Sequence, residues 1–140
     1  MGNGDITALG NAAAMSILDG MRALGELPGY DLTRFPPKTV IRMMTSDGPC
    51  TLVVVDPKHL TVVLFRHPAE RFGSPRFATL RGAGLNGHLK VGWILSGTSA
   101  DFDFENGERL LIKEVVSMFP PGDAPEEADV LIREAKRRSS

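Results

Sequence analysis

Apolar residues at Ile6, Leu9, Ala13, Ile17, Met21 and Leu24 recur every three or four positions, the spacing of one helix face, and predict a helix within residues 1–27. Gly10, Gly20 and Gly25 fall inside that pattern, and each costs about 1 kcal/mol relative to alanine in a helix interior. This helix therefore depends on packing against the rest of the domain or a partner. A proline-punctuated segment, Pro28-Gly-Tyr-Asp-Leu-Thr-Arg-Phe-Pro-Pro37, follows and reads as a connector over 28–37.

After it the character of the chain changes. Lys38–Thr45, Thr51–Val55 and Leu60–Arg66 are short runs of β-branched and aliphatic residues, and the turn residues Ser46-Asp47-Gly48 and Asp56-Pro57-Lys58-His59 separate them. They predict three strands in tight antiparallel connection. Leu52-Val-Val-Val55 and Val62-Val-Leu-Phe65 are apolar on both faces, which a sheet with one wet side does not require. The terminal helices are the natural cover for the outer face. Two more strands, Arg76–Arg81 and His88–Leu95, flank the glycine-rich stretch Gly82-Ala-Gly-Leu-Asn-Gly87, and a last hairpin runs from Ala100–Phe104 to Glu108–Val116.

The register of that hairpin can be argued. A two-residue Asn106-Gly107 loop sets Phe104 against Arg109 and Phe102 against Leu111. A three-residue loop with Gly107 in a left-handed bulge position sets Phe102 against Leu110 and Asp103 against Arg109. The second keeps apolar with apolar and pairs opposite charges. A C-terminal helix over 123–138 follows, with Asp123 as cap, Pro125 in its first turn, acids at its start and bases at its end, an order that suits the helix dipole. The whole reads as one mainly β domain over residues 1–140. It is a small antiparallel barrel or strongly curved sheet of about six to seven strands over 38–119, with an N-terminal and a C-terminal helix.

The composition, 42% apolar and 24% charged in 140 residues, is that of a single foldable domain. The longest uncharged stretch near the start, Ile6 to Leu18, is shorter than the roughly 20 residues that cross a bilayer, and no base precedes it. No membrane partner and a cytoplasmic location are expected. The one cysteine, Cys50, excludes an internal disulfide and reads as a small buried hydrophobe. The net charge of -1 conceals large blocks. Residues 34–92 hold nine bases and three acids, while residues 93–129 hold two bases and nine acids.

Candidate chemistry was sought against this background. Gly82-Ala-Gly-Leu-Asn-Gly87 is a literal G-x-G-x-x-G, but a strand follows it where a dinucleotide fold needs a helix. It reads as a flexible β-hairpin or inter-strand loop, and no cofactor is expected. His59, His67, His88 and Cys50 match no metal-ligand spacing. Asp101 and Asp103 lie on one strand face with no third catalytic type beside them. Ser74, Ser96 and Ser99 sit in loop contexts. An enzyme is therefore not expected, and no catalytic, cofactor or metal residue is assigned. The leading expectation is a non-catalytic binding or assembly module that associates with itself or with another protein. The alternative is a nucleic-acid or phosphate-binding module, with Arg66, Arg71, Arg76, Arg81, His88 and Lys90 as the anion-binding candidates and Phe72 and Phe77 interleaved for stacking.

Val40-Ile-Arg-Met-Met-Thr-Ser-Asp47-Gly48, Leu52-Val-Val-Val-Asp56, Leu60-Thr-Val-Val-Leu64 and Leu80-Arg81-Gly82 resemble in part the Sm/Lsm pattern, over about residues 40–82. The resemblance implies an N-terminal helix before a five-stranded barrel, with an aspartate and an Arg-Gly step near RNA-binding loops. His59 stands where that family carries an asparagine, and the glycine-rich stretch and the hairpin at 100–116 depart from its pattern.

Overall fold

The computed structural model describes residues 28–139, so the helix expected within 1–27 lies outside the described residues. The strands are β1 (Gly29–Asp31), β2 (Thr39–Thr45), β3 (Gly48–Asp56), β4 (Thr61–Arg66), β5 (Arg76–Leu85) and β6 (His88–Val91). They continue as β7 (Trp93–Leu95), β8 (Ser99–Phe104), β9 (Arg109–Ile112), β10 (Val115–Met118) and β11 (Gly122–Asp123). A one-turn helix α1 (Ala69–Phe72) follows β4, and a long helix α2 (Pro125–Ser139) ends the chain. Nine strands form one antiparallel sheet in the order β10-β2-β3-β4-β5-β8-β9, with β11 also on β2 and β6 also on β5. β1 and β7 form a separate two-stranded ladder.

Strict alternation along the strands sorts the apolar residues onto two faces. Ile41, Met43, Leu52, Val54, Val62, Leu64, Leu80, Phe102 and Ile112 face inward and make the main core. Their neighbours Val40, Val53 and Val63 are paired across β2, β3 and β4, and with Phe77 they form a row on the other face. Ala128, Leu131 and Ala135 of α2 pack on that row. This explains why β3 and β4 are apolar on both faces: one is core, the other is the seat of a helix. Arg42 holds the helix in place, donating from both Nη atoms to the two carboxylate oxygens of Glu127. Lys38 Nζ lies 2.9 Å from Asp129 Oδ1 beside it.

The two ends of the sheet are brought together by the chain. β9 and β10 lie at opposite ends of the hydrogen-bonded order, yet only Lys113 and Glu114 separate them in sequence. A flat sheet cannot satisfy that link, so the sheet curls on itself. At the corner Val115 donates to the Thr98 carbonyl and accepts from the Gly97 amide, each at 2.7 Å. No ladder joins β9 to β10, and a closed barrel does not form. The sheet is the strongly curved alternative, with more strands than expected. It also departs from the five-stranded barrel that the Sm/Lsm resemblance implies.

Several boundaries move for identifiable reasons. The connector at 28–37 contributes β1 and a 3-10 turn, because Leu32 is fully buried and Tyr30 and Phe35 pack on the main core. The run from His88 to Leu95 breaks into β6 and β7 at Gly92, whose φ is +79°. The run from Glu108 to Val116 breaks at the Lys113-Glu114 corner. Asp123 pairs with Thr39 in β11 instead of capping α2, which starts at Pro125. The glycine-rich stretch is the β-hairpin of the two readings: Gly82 to Leu85 pair with β6, and only Asn86 and Gly87 turn, with φ of +53° and +81°. That is the geometry of a two-residue type I′ hairpin. Gly82 is obligatory, since a methyl there would run into the Lys90 carbonyl. The hairpin at 100–112 has the register argued above, Phe102 opposite Leu110 and Asp103 opposite Arg109, with Gly107 at φ +89°.

The Arg42 pairing holds the Glu127 carboxyl below its ordinary value, chiefly through the side-chain hydrogen bonds. Because both groups are partly exposed, Glu127→Gln is expected to cost only about 0.5–1 kcal/mol at pH 7 in urea unfolding. A group whose folded value is lowered stabilises above its unfolded value and loses that contribution as pH falls through the folded one. The difference between wild type and variant should therefore begin to shrink as pH falls past the ordinary glutamate value of about 4.3, and close once pH is below the lowered folded one.

Candidate functional site

The candidate anion-binding residues separate into three places. Arg66, Arg71 and Arg76 gather at one end of the curled sheet, Arg81 lies on the outer face, and His88 and Lys90 belong to the β5–β6 hairpin. The first group is built by β4, α1 and β5. Arg66 ends β4 opposite Cys50, and Arg76 begins β5 opposite Leu64, so both project on the inner face at its rim. A turn with a cis His67–Pro68 peptide leads into α1, which carries Phe72 to that rim.

Two guanidinium groups use the same ring, with Cζ of Arg66 4.0 Å and Cζ of Arg71 4.9 Å from the Phe72 centroid. Arg76 Cζ lies 3.7 Å from the centroid of Phe104. Such contacts orient a cation without neutralising it. Arg66 donates to Asp47 at 3.1 Å. The nearest carboxylate oxygen to Arg76, on Glu108, is 3.7 Å away, and Arg76 Nε is buried without a hydrogen-bond partner. From the far end of the chain, Arg138 donates to Ser74 at 3.2 Å and joins the same rim.

The outer-face group is different in kind. Asp101 accepts from Arg109 at 3.0 Å and lies 3.8 Å from Arg81, while Asp103 lies 3.8 Å from Arg109 and 3.9 Å from Arg81. The two carboxylates and two guanidinium groups neutralise one another. α2 seats on β2, β3, β4 and the Phe77 end of β5, and among the described residues no element covers the face around this cluster. Registers place Leu111, Asp101, Gly82 and Val91 in one row across β9, β8, β5 and β6. Val91 is 67%, Leu111 57% and Leu89 43% exposed. The glycine in the middle leaves a shallow trough between the apolar flanks.

The remaining chemistry-bearing residues are dispersed. His59 Nδ1 pairs with Asp56 at 2.8 Å in the β3–β4 turn, and His67 sits against Thr51 and the Phe65 ring. Among the described residues no group of three or more His, Cys, Asp and Glu is placed to hold a metal. Ser96 and Ser99 donate to backbone carbonyls of Val116 and Gly84. Lys90 Nζ lies 3.8 Å from the Trp93 ring. No helix among the described residues is long and apolar enough to cross a membrane.

Sequence reasoning missed Phe104, Arg138 and the apolar flanks. Phe104 reads in sequence as an ordinary hairpin residue, and Arg138 is 64 positions from Ser74, so no local spacing announces either. Leu89 and Val91 do alternate with His88 and Lys90, but period alone cannot say which face is covered.

Cys50 lies fully inside the sheet, and burial pushes its thiol up to about 12 against a smaller opposing pull from Arg66. At pH 8 the folded protein should not react with a thiol reagent such as DTNB on a minutes timescale, whereas one equivalent should react at once in denaturant.

No protein-family model, curated protein or solved structure matches the chain.

Proposed function

We propose that the protein is a non-catalytic binding module that assembles with itself through the bare outer face of β5, β6, β8 and β9. The observation that carries this reading is the conjunction of Val91, Leu89 and Leu111, exposed on a face that no other described element covers, with a charge cluster that is already neutral. Large apolar side chains exposed on both sides of a neutral polar centre give such a face something to bury against a partner. The four central charges are two of each sign, so the face carries no excess to attract a polyanion or a polycation. A second copy meets it without net repulsion, and a two-fold axis placed to set each arginine against an acid of the partner cluster would pair all four charges. Charged groups arranged in that way set register, while the apolar flanks supply the driving force.

The dispersal of His59, His67, Ser96, Ser99, Asp101 and Asp103 supports a binding role over a catalytic one. No nucleophile lies within reach of a base among these residues, and each has a structural partner.

Sedimentation equilibrium tests the reading. The mass should rise with protein concentration, and Val91→Lys with Leu111→Lys should weaken association at least about tenfold, the effect expected when two exposed apolar anchors are lost. Both positions are exposed, so the variant should unfold at nearly the wild-type denaturant midpoint. A strict monomer at high concentration, or an unchanged constant in the double variant, would overturn the proposal.

A further inference from the structure

We propose that Arg66, Arg71 and Arg76, at the rim of the curled sheet, form a binding site for a phosphate group. This site lies on the inner rim, away from the self-association face, and does not rest on that reading. Three guanidinium groups are held at one rim by two aromatic rings, and only one of the three makes a direct hydrogen bond to a carboxylate, Arg66 to Asp47. Arg66 and Arg76 are only 20% and 19% exposed at the side chain, so water screens them poorly. Gathering like charges in that setting is costly unless an anion completes the group.

Arg76 gives the strongest evidence. Its Nε is buried and unsatisfied, and the Glu108 oxygen at 3.7 Å is beyond hydrogen-bond reach. Glu108 is itself engaged by Asn106 and is largely exposed, so it is a poor permanent partner. Phe104 fixes the guanidinium plane from one side, which leaves its donors pre-oriented for an acceptor that the described residues do not provide to Nε. Stacked arginine is the residue type best suited to forked hydrogen bonding with phosphate oxygens.

Arg71 supplies the outer member of the group. It is exposed on α1, shares the Phe72 ring with Arg66, and has Glu70 beside it in sequence. The acids near the rim are Asp47, Glu70 and Glu108. Asp47 is bonded to Arg66, and the other two are exposed. Arg138, anchored at Ser74, adds a fourth base from α2. The oxygens of a phosphate monoester or diester would accept from Arg66, Arg71 and Arg76 together. Because the Phe72 and Phe104 rings are taken up by the guanidinium groups, the phosphate oxygens are the part of a ligand this rim recognises.

Calorimetric titration with inorganic pyrophosphate, and anisotropy of a short labelled single-stranded oligonucleotide at low salt, test the site on the full chain. Arg71→Glu is the main variant because its side chain is exposed, and Lys58→Glu, at the β3–β4 turn, is the charge-matched control. Binding that weakens about tenfold or more in Arg71→Glu and is unchanged in Lys58→Glu supports the proposal, the loss of one charge-assisted contact being of that order. Arg76→Lys keeps the charge and loses the fork, and should weaken binding several-fold. Binding of pyrophosphate alone identifies a small phosphorylated ligand, and binding of the oligonucleotide identifies a phosphodiester chain. Failure of both probes to bind at low salt, or binding that Arg71→Glu weakens no more than Lys58→Glu does, would overturn it.

Discussion

The short link between β9 and β10 governs the architecture. Two residues join strands that belong to opposite ends of the hydrogen-bonded order, and only a sheet that curls through most of a turn allows that connection. Curling gives the sheet an inside, where Phe102, Leu52 and Ile41 are fully buried, and an outside that needs separate cover. α2 provides that cover for β2, β3 and β4, held by the Arg42–Glu127 pair. The rim and the uncovered half of the outer face are what remain, and both proposed surfaces lie there. The link is thus responsible for where the protein can bind as well as for where its core lies.

The charge layout follows from the same geometry. The basic segment 34–92 and the acidic segment 93–129 are separate in sequence but adjacent in space, because β5 pairs with β8. Arg81 consequently meets Asp101 and Asp103, and Arg76 approaches Glu108. Most of the apparent basic excess is therefore consumed inside the fold. The rim is the exception, since α1 and the ends of β4 and β5 bring three arginines to one place and only Asp47 bonds directly to any of them.

Much of the sheet was legible from local pattern. Alternation located β2, β3 and β4, and the pairing argument for Glu105-Asn106-Gly107 placed Phe102 against Leu110 and Asp103 against Arg109. What escaped was set by tertiary context. Leu32 and Tyr30 sit among prolines and turn residues, and nothing nearby reveals that Trp93 to Leu95 will pair with them. Asn86-Gly87 is a strong hairpin signal, but how far the glycines before it pair as strand is set by the close approach of Lys90 and not by residue type. The candidate arginines were found by composition and could not be divided by it. Whether an arginine faces Asp101 or an empty rim depends on pleat and register, which residue type does not encode. Phe104 and Arg138 reach the rim from distant segments, and only the folded chain brings them there.

Lys113 and Glu114 are exposed, polar and outside any strand, the usual description of a site that accepts extra residues. Here their number is a structural dimension. The Glu114 carbonyl receives the Ser46 amide, and the next residue is bonded to Gly97 and Thr98, so both sides of the step are anchored to different parts of the sheet. A longer step would relax the curl, separate the rim arginines and open the main core to water. The turn at Glu105-Asn106-Gly107 joins two strands that already lie side by side and carries no such burden. Among relatives of this chain, length variation should accumulate in that hairpin turn and be absent from the corner, so the spacing between Ile112 and Val115 would serve as a signature of the fold.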